Sequence, residues 1–190
     1  MTDTTYTRPM PTAAPMTAEE LLRLNVQDKR TELVKGRLVV RKPAGPPHGR
    51  VAMRIAVAIS NHVYRHELGE TFAAETGFTL RRNPDTVRAA DAAFIATDRL
   101  PPSETRGFPE LAPDLVVEVL SPDDRPGEVL AKVADWLTAG CRLVWVIDPV
   151  RRSGCAYRAD GSVALLSDHD HLDGEDVLPG FTCLMASILT

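Results

Sequence analysis

Residues 113–121, PDLVVEVLS, constrain the fold more than any other stretch of this chain. A short apolar run bounded by Pro113 and Pro122 suits a buried central strand rather than a surface one. Pro126 then stands where a first helical residue would be, and Gly140 follows as a stop, so a helix is expected to about Ala139. A second apolar run, RLVWVIDP at 142–149, comes next. This order predicts a β-α-β unit at the centre of the domain.

The flanking segments fit around that unit. Thr17 and Glu20 form a capping box before Leu21, Leu22 and Leu24, which predicts a short helix to about Val26. ELVKGRLVV at 32–40 reads as a hairpin turning at Lys35-Gly36, and KPAGPP as a rigid connector. From His48 to about Leu68 the residues Val51, Ile55, Ile59 and Val63 recur every fourth position, an apolar helix face that Gly69 would close. ETGFTLRR and VRAADAAFIA read as strands joined by a turn at Asn83-Pro84-Asp85, and GCAYRAD with SVALLSD as a closing hairpin. Hairpins mixed with one β-α-β unit predict an α+β (mixed α/β) domain over 17–190, a central mixed sheet flanked by helices with an N-terminal hairpin. The Thr- and Pro-rich residues 1–16 read as a disordered tail.

Composition removes several functions. The 190 residues carry 22 basic and 26 acidic side chains, so a strongly basic nucleic-acid binder is excluded. The total hides an asymmetry: residues 1–110 hold 16 basic and 13 acidic residues, a balance of +3, and residues 111–190 hold 6 and 13, a balance of −7. A local basic surface can therefore still meet a polyanion. No run approaches the ~18–20 apolar residues of a membrane span, and the first residues lack the pattern of a secretory signal. Cys141, Cys155 and Cys183 are odd in number with no C-x-x-C, which fits a reducing cytoplasm and neither a disulfide framework nor a structural zinc site. The dinucleotide, P-loop, nucleophile-elbow and H-E-x-x-H motifs are all absent.

What remains is a set of carboxylates inside apolar strands. Glu118 lies between Val117 and Val119, where it is costly unless paired, hydrogen-bonded or bound to a cation. The plainer reading is that alternation turns it to a solvated face. Asp91 interrupts VRAADAAFIA on the face of Ala89, Ala93 and Ile95, and Asp114 reads as a turn residue after Pro113. Lys132 lies at about −60° on its helix when Val129 is zero, at the edge of the arc that faces the sheet. It either reaches over the sheet or pairs with Glu128 one turn earlier. Of the 22 basic residues only 4 are Lys, and Lys132 is the only one after Lys42. That favours a role for a compact ammonium. Two strand carboxylates with a nearby Lys suit Mg²⁺-dependent phosphodiester hydrolysis: hard oxygens hold the cation, and the Lys orients water or adds positive charge. His62 and His66 read as a surface pair, His169 and His171 as a solvated loop, and Trp136 and Trp145 as packing residues.

These residues resemble the Uma-two family of putative restriction endonucleases, within the PD-(D/E)XK nuclease superfamily. The resemblance covers about residues 17–190. It rests on TELVKG at 31–36, PPHG at 46–49, VRAADAAFI at 87–95, APDLVVEVLSPDD at 112–124, Lys132, GCRLVWVIDP at 140–149 and LPGF at 178–181. It implies a restriction-endonuclease-like core. Asp91 matches the acid of the Pro-Asp pair, with Ala90 in place of the proline, and Glu118 matches the acid of the (D/E)XK strand. That motif's Lys position is Leu120 here, and Lys132 on the next helix takes its place. Glu32 matches an acid of the first hairpin, and His48 a residue touching the phosphate or ordering the site.

The expectation is a DNA endonuclease using Mg²⁺, with Mn²⁺ as a substitute. Asp91 and Glu118 would hold the metal, with Glu32 and Lys132 completing the catalytic set. His48, Arg50, Arg81 and Arg88 are expected on the substrate, and a cytoplasmic homodimer would cut both strands. The rival readings are a nuclease-fold module that binds nucleic acid or protein without catalysis, and a different hydrolase built on a similar metal site.

Overall fold

The computed structural model of this chain describes residues 14–24 and 29–189. Helix α1 spans Ala18–Arg23. The hairpin of β1 (Arg30–Val34) and β2 (Arg37–Arg41) and the long helix α2 (Pro46–His66) follow. Strands β3 (Gly69–Ala73), β4 (Gly77–Arg81), β5 (Thr86–Ala89), β6 (Ala92–Ala96) and β7 (Leu115–Val119) come next. Helix α3 (Pro126–Thr138) leads to β8 (Leu143–Asp148), β9 (Ser153–Arg158) and β10 (Val163–Ser167). The short strands β11 (His171–Asp173) and β12 (Thr182–Leu184) and a last turn, α4 (Met185–Ile188), end the chain.

The six-stranded sheet, in order β10-β9-β8-β7-β6-β3, is mixed: only β7 and β8 are parallel, and α3 connects them. All five residues of β7 are buried. Its odd-numbered residues Leu115, Val117 and Val119 pack with Val51, Ile55, Ile59 and Val63 of α2. Val116 of β7 and Val144 and Val146 of β8 pack on the other face with Val133 and Trp136 of α3. Two helices on opposite faces make this an α+β fold with a mixed central sheet, as the β-α-β pattern implies. A second sheet, β2-β1-β5-β4, is antiparallel and carries the N-terminal hairpin. The capping box forms as expected, with Glu20 N–H donating to Thr17 Oγ1 and Thr17 N–H to Glu20 Oε2. The hairpin turn puts Lys35 and Gly36 at φ 50° and 74°, the double positive φ of a type I′ turn.

Several local expectations change. VRAADAAFIA is not one strand: β5 belongs to the smaller sheet and β6 to the larger, and the chain crosses between them at Ala90-Asp91. The alternation that placed Asp91 with Ala89 therefore fails at the bend, where a residue of low strand propensity sits. Helix α2 begins earlier, because Pro46 and Pro47 fill its first turn. It ends on Glu67 in the left-handed region rather than on Gly69. Gly69 instead opens the unforeseen strand β3 at φ 150°, where a Cβ would meet the Ile95 carbonyl oxygen at 2.1 Å. Asp114 is not a turn residue in solvent. It is 1% exposed and accepts from Ala96 N–H and Arg99, tying β6 to the start of β7. Residues 1–13 of the tail lie outside the described residues, and α1 ends at Arg23 with Leu24 extended, short of the expected Val26. Met16 is docked, its N–H donating to the Gly36 carbonyl.

Candidate active site

Glu118 lies on the face of β7 that α3 covers, paired with Val146 of β8. It is 7% exposed, so the solvated-face reading fails. Lys132 and Trp136 are one turn apart on α3 and both meet it: Lys132 Nζ donates to Glu118 Oε2 at 2.8 Å and Trp136 Nε1 to Oε1 at 2.8 Å. Helix α3 is set at this depth by burial of Val133 and Trp136, which brings the Lys132 stem over the sheet. Lys132 does not pair with Glu128, which takes Arg41 at 3.0 Å.

Lys132 also reaches the smaller sheet. Its ammonium donates to the Ala89 carbonyl at 2.8 Å and lies 3.1 Å from Glu32 Oε1. Glu32 in turn accepts from Ala89 N–H at 3.0 Å and from Arg88 Nη1 at 2.9 Å. Both backbone polar groups of Ala89 are thus held by site side chains, two residues before Asp91. The Asp91 N–H donates to the Val117 carbonyl, and Asp91 Oδ2 accepts from Val119 N–H at 2.8 Å. The carboxylate continues the β6–β7 ladder where the backbone bends away. His48 Nε2 lies 3.1 Å from the same oxygen, whereas Arg30 Nη1 is 3.4 Å from Oδ1.

Burial raises the proton affinity of all three acids, and their partners answer unequally. For Glu32, Lys132, Arg88 and the Ala89 N–H outweigh burial and hold it below its ordinary range. For Asp91, His48 and the Val119 N–H do the same. Glu118 is pushed up to about 7, first by burial and then by the nearby Asp91 and Glu32 charges, against the pull of Lys132. Burial alone would lower Lys132, but Glu118, Glu32 and Asp91 raise it. It is an ammonium here, a charge and a hydrogen-bond donor rather than a base.

The acids line one cleft of about 180 Å³ between the two sheets and α3. Its donor set is hard oxygen, the set that suits Mg²⁺ or Mn²⁺. Three carboxylates meet here, and the Asp91 and Glu32 charges add to burial in pushing Glu118 up. Among the described residues no three His, Cys, Asp or Glu side chains form a ready cation cage. Mg²⁺ held by one or two carboxylates and otherwise by water needs none. By this chemistry the site fits a divalent cation.

The substrate residues separate. His48 is buried against Asp91. Arg50 and Arg81 are exposed but do not line the cleft. Arg88 differs from the exposed position a phosphate contact implies: it is 5% exposed and bound to Glu32 and Asp135, where it buttresses Glu32. Sequence reasoning missed the Trp136 N–H and Arg30. Both had a signal, since Trp136 is one helical turn after Lys132 and Arg30 is two strand residues before Glu32. His62 bonds the Pro179 carbonyl, and the Cys141 thiol is pushed up to about 12 by burial, so both are structural.

A family model described as Uma2, putative restriction endonuclease, matches residues 18–187. The fold is similar to that of a putative nuclease belonging to DUF820 from Anabaena variabilis. Identity is 19% and the TM-score 0.81, over 92% of this chain and 98% of the other. No match was found among curated proteins. Among the described residues no helix is long and apolar enough to cross a membrane.

Proposed function

The chain belongs to the Uma2 family of putative restriction endonucleases, and on that premise we propose that it hydrolyses DNA phosphodiester bonds with a divalent cation held by Asp91 and Glu118. The observation that carries this is the double tie on the acids. Asp91 is bonded to the backbone of Val119, next to Glu118, and Lys132 bonds Glu118 directly. Mg²⁺, or Mn²⁺ in its place, supplies a bound water of lowered pKa and positive charge against the charge that develops on phosphorus.

The chain's own groups do the positioning. Val119 N–H and His48 fix one oxygen of Asp91 and, among the described residues, leave Oδ1 with only the long contact to Arg30. Trp136 and Lys132 fix the two oxygens of Glu118. Glu32 holds Lys132 in place, and as an ammonium Lys132 orients the attacking water and stabilises the transition state by charge. The exposed Lys42, Arg50 and Arg81 are our phosphate contacts outside the cleft. A homodimer would bring two sites to two strands.

The test is cleavage of supercoiled plasmid in Mg²⁺, in Mn²⁺ and in EDTA, by wild type, Glu118→Ala and Lys132→Ala. Nicking or linearisation by wild type alone, abolished by EDTA, is expected. Equal cleavage by all three proteins would overturn the site. DNA binding by wild type without cleavage in either metal would favour a non-catalytic module.

A further inference from the structure

The cations of this cluster are not equally engaged. Arg88 makes three short bonds to carboxylates, at 2.7, 2.9 and 3.0 Å. Lys132 makes three contacts between 2.8 and 3.1 Å. Arg30 is the exception. Among the described residues its one hydrogen bond is the 3.4 Å contact to Asp91 Oδ1, and its Nε is 4.0 Å from Glu75, beyond hydrogen-bond reach. That Nε is buried and has no hydrogen-bond partner among the described residues. A guanidinium offers five N–H donors in a planar fork, and a buried donor without an acceptor is destabilising. The geometry is that of a group waiting for an acceptor.

Arg30 also stands at a junction. With His48, Asp91 and Glu75 it lines both the reaction cleft and a second groove of about 580 Å³. That groove runs along the first half of α2 and the end of β3, over Gly49, Ala52, Met53, Ala56 and Ala74. Its size lies within the ~300–1,000 Å³ of clefts that take small organic groups. Away from the junction its walls are small and apolar with the exposed Met53 among them, and Lys29 adds a second cation at the junction. An apolar groove with cations at the end that meets the acids matches a nucleotide whose phosphate points at the reaction cleft.

Resting on the nuclease reading above, we infer that Arg30 receives the phosphodiester at the reaction cleft and that the second groove holds the adjoining nucleoside of the same DNA strand. Arg30 is then a substrate-positioning residue. It exchanges its long contact with Asp91 for the phosphate oxygens, which a planar fork can take bidentately.

The experiment is fluorescence anisotropy with a labelled single-stranded oligonucleotide and its duplex, in EDTA and in Ca²⁺, across a salt series. Wild type, Arg30→Lys, Arg30→Ala, Ala74→Glu and Ala74→Arg are compared. Ala74 is exposed, so its variants fold. Arg30→Ala is expected to weaken binding about tenfold and to reduce the salt slope by about 0.7 for the single strand. A purely structural role would leave that slope unchanged. Arg30→Lys should keep the slope and lose affinity. Ala74→Glu should weaken binding and Ala74→Arg strengthen it. The two DNA forms show whether the strand is delivered unpaired. A wild-type slope for Arg30→Ala, Ala74 variants that bind alike, or no binding by wild type in either medium each overturns the inference. Arg30-dependent binding without cleavage would fail the nuclease reading alone. Metal-dependent cleavage with Arg30-independent binding would fail this one alone.

Discussion

The backbone N–H of Val119 donates to Asp91 Oδ2 at 2.8 Å, joining residues 28 positions apart. Through this bond the acid at the β5–β6 crossing and the acid on β7 become one geometric unit, since Val119 follows Glu118 directly. Two substitutions at position 91 separate its structural and chemical roles. Asp91→Asn keeps an acceptor for Val119 N–H, whereas Asp91→Ala leaves that donor buried and unpaired. Urea unfolding should show Asp91→Ala less stable than Asp91→Asn by ~1–3 kcal/mol. Both should lose cleavage to a similar degree. Equal stabilities would mean that the bond does not hold the unit together.

Lys132 links the two sheets by touching Glu118 on β7, Glu32 on β1 and Ala89 on β5. Lys132→Met keeps the stem and removes the charge, leaving two buried carboxylates without a shared cation. Stability should fall by ~3–5 kcal/mol and cleavage by ~10²–10³-fold. Adding Glu32→Gln to Lys132→Met should restore part of the stability and none of the activity. A double-mutant cycle by denaturation and plasmid cleavage measures both.

Arg88 was expected on DNA and is found beneath Glu32. Arg88→Met should cost ~3 kcal/mol in chemical denaturation and leave the salt slope of DNA binding unchanged. Arg50→Ala and Arg81→Ala should leave stability unchanged and each reduce that slope by ~0.9 on duplex DNA. The opposite pattern would return Arg88 to the substrate.

Asp85 gives the pH dependence. It accepts from Ala18 N–H, Asn83 N–H and Arg82, joining α1 to the β4–β5 turn. Burial raises its proton affinity, but these donors outweigh burial and hold it below its ordinary value of 3.8. A carboxylate depressed in the folded state stabilises fully above its unfolded pKa, and that contribution is lost as pH falls through the folded pKa. Melting temperatures between about pH 6 and pH 2 should therefore fall more steeply for wild type than for Asp85→Asn, which begins lower. Parallel curves would show that Asp85 is not held this way.

Much of this was legible in the sequence for physical reasons. The β-α-β unit showed because β7 is buried on both faces and therefore continuously apolar, so Glu118 stood out within it. Lys132 showed because a 100° step places it at the edge of the sheet-facing arc. The break at Ala90-Asp91 did not show, since small apolar residues on either side read as one strand. What ends that strand is a tertiary bond, Asp91 to Val119, which no local pattern carries. The burial of Arg88 did not show because a charged residue on an alternating strand looks exposed until Glu32 on the neighbouring strand and Asp135 of α3 engage it. Strand β3 was hidden because GETFA, with one large apolar residue, depends on pairing with β6 for its existence.

The central claim is that Asp91 and Glu118 form one divalent-cation site. Calorimetric titration of Mn²⁺ into wild type, Asp91→Asn and Glu118→Gln, each checked for folding by thermal melting, tests it most directly. The account predicts one site per chain in wild type and an affinity at least ~10-fold weaker in each variant. Wild-type affinity in both folded variants would contradict it.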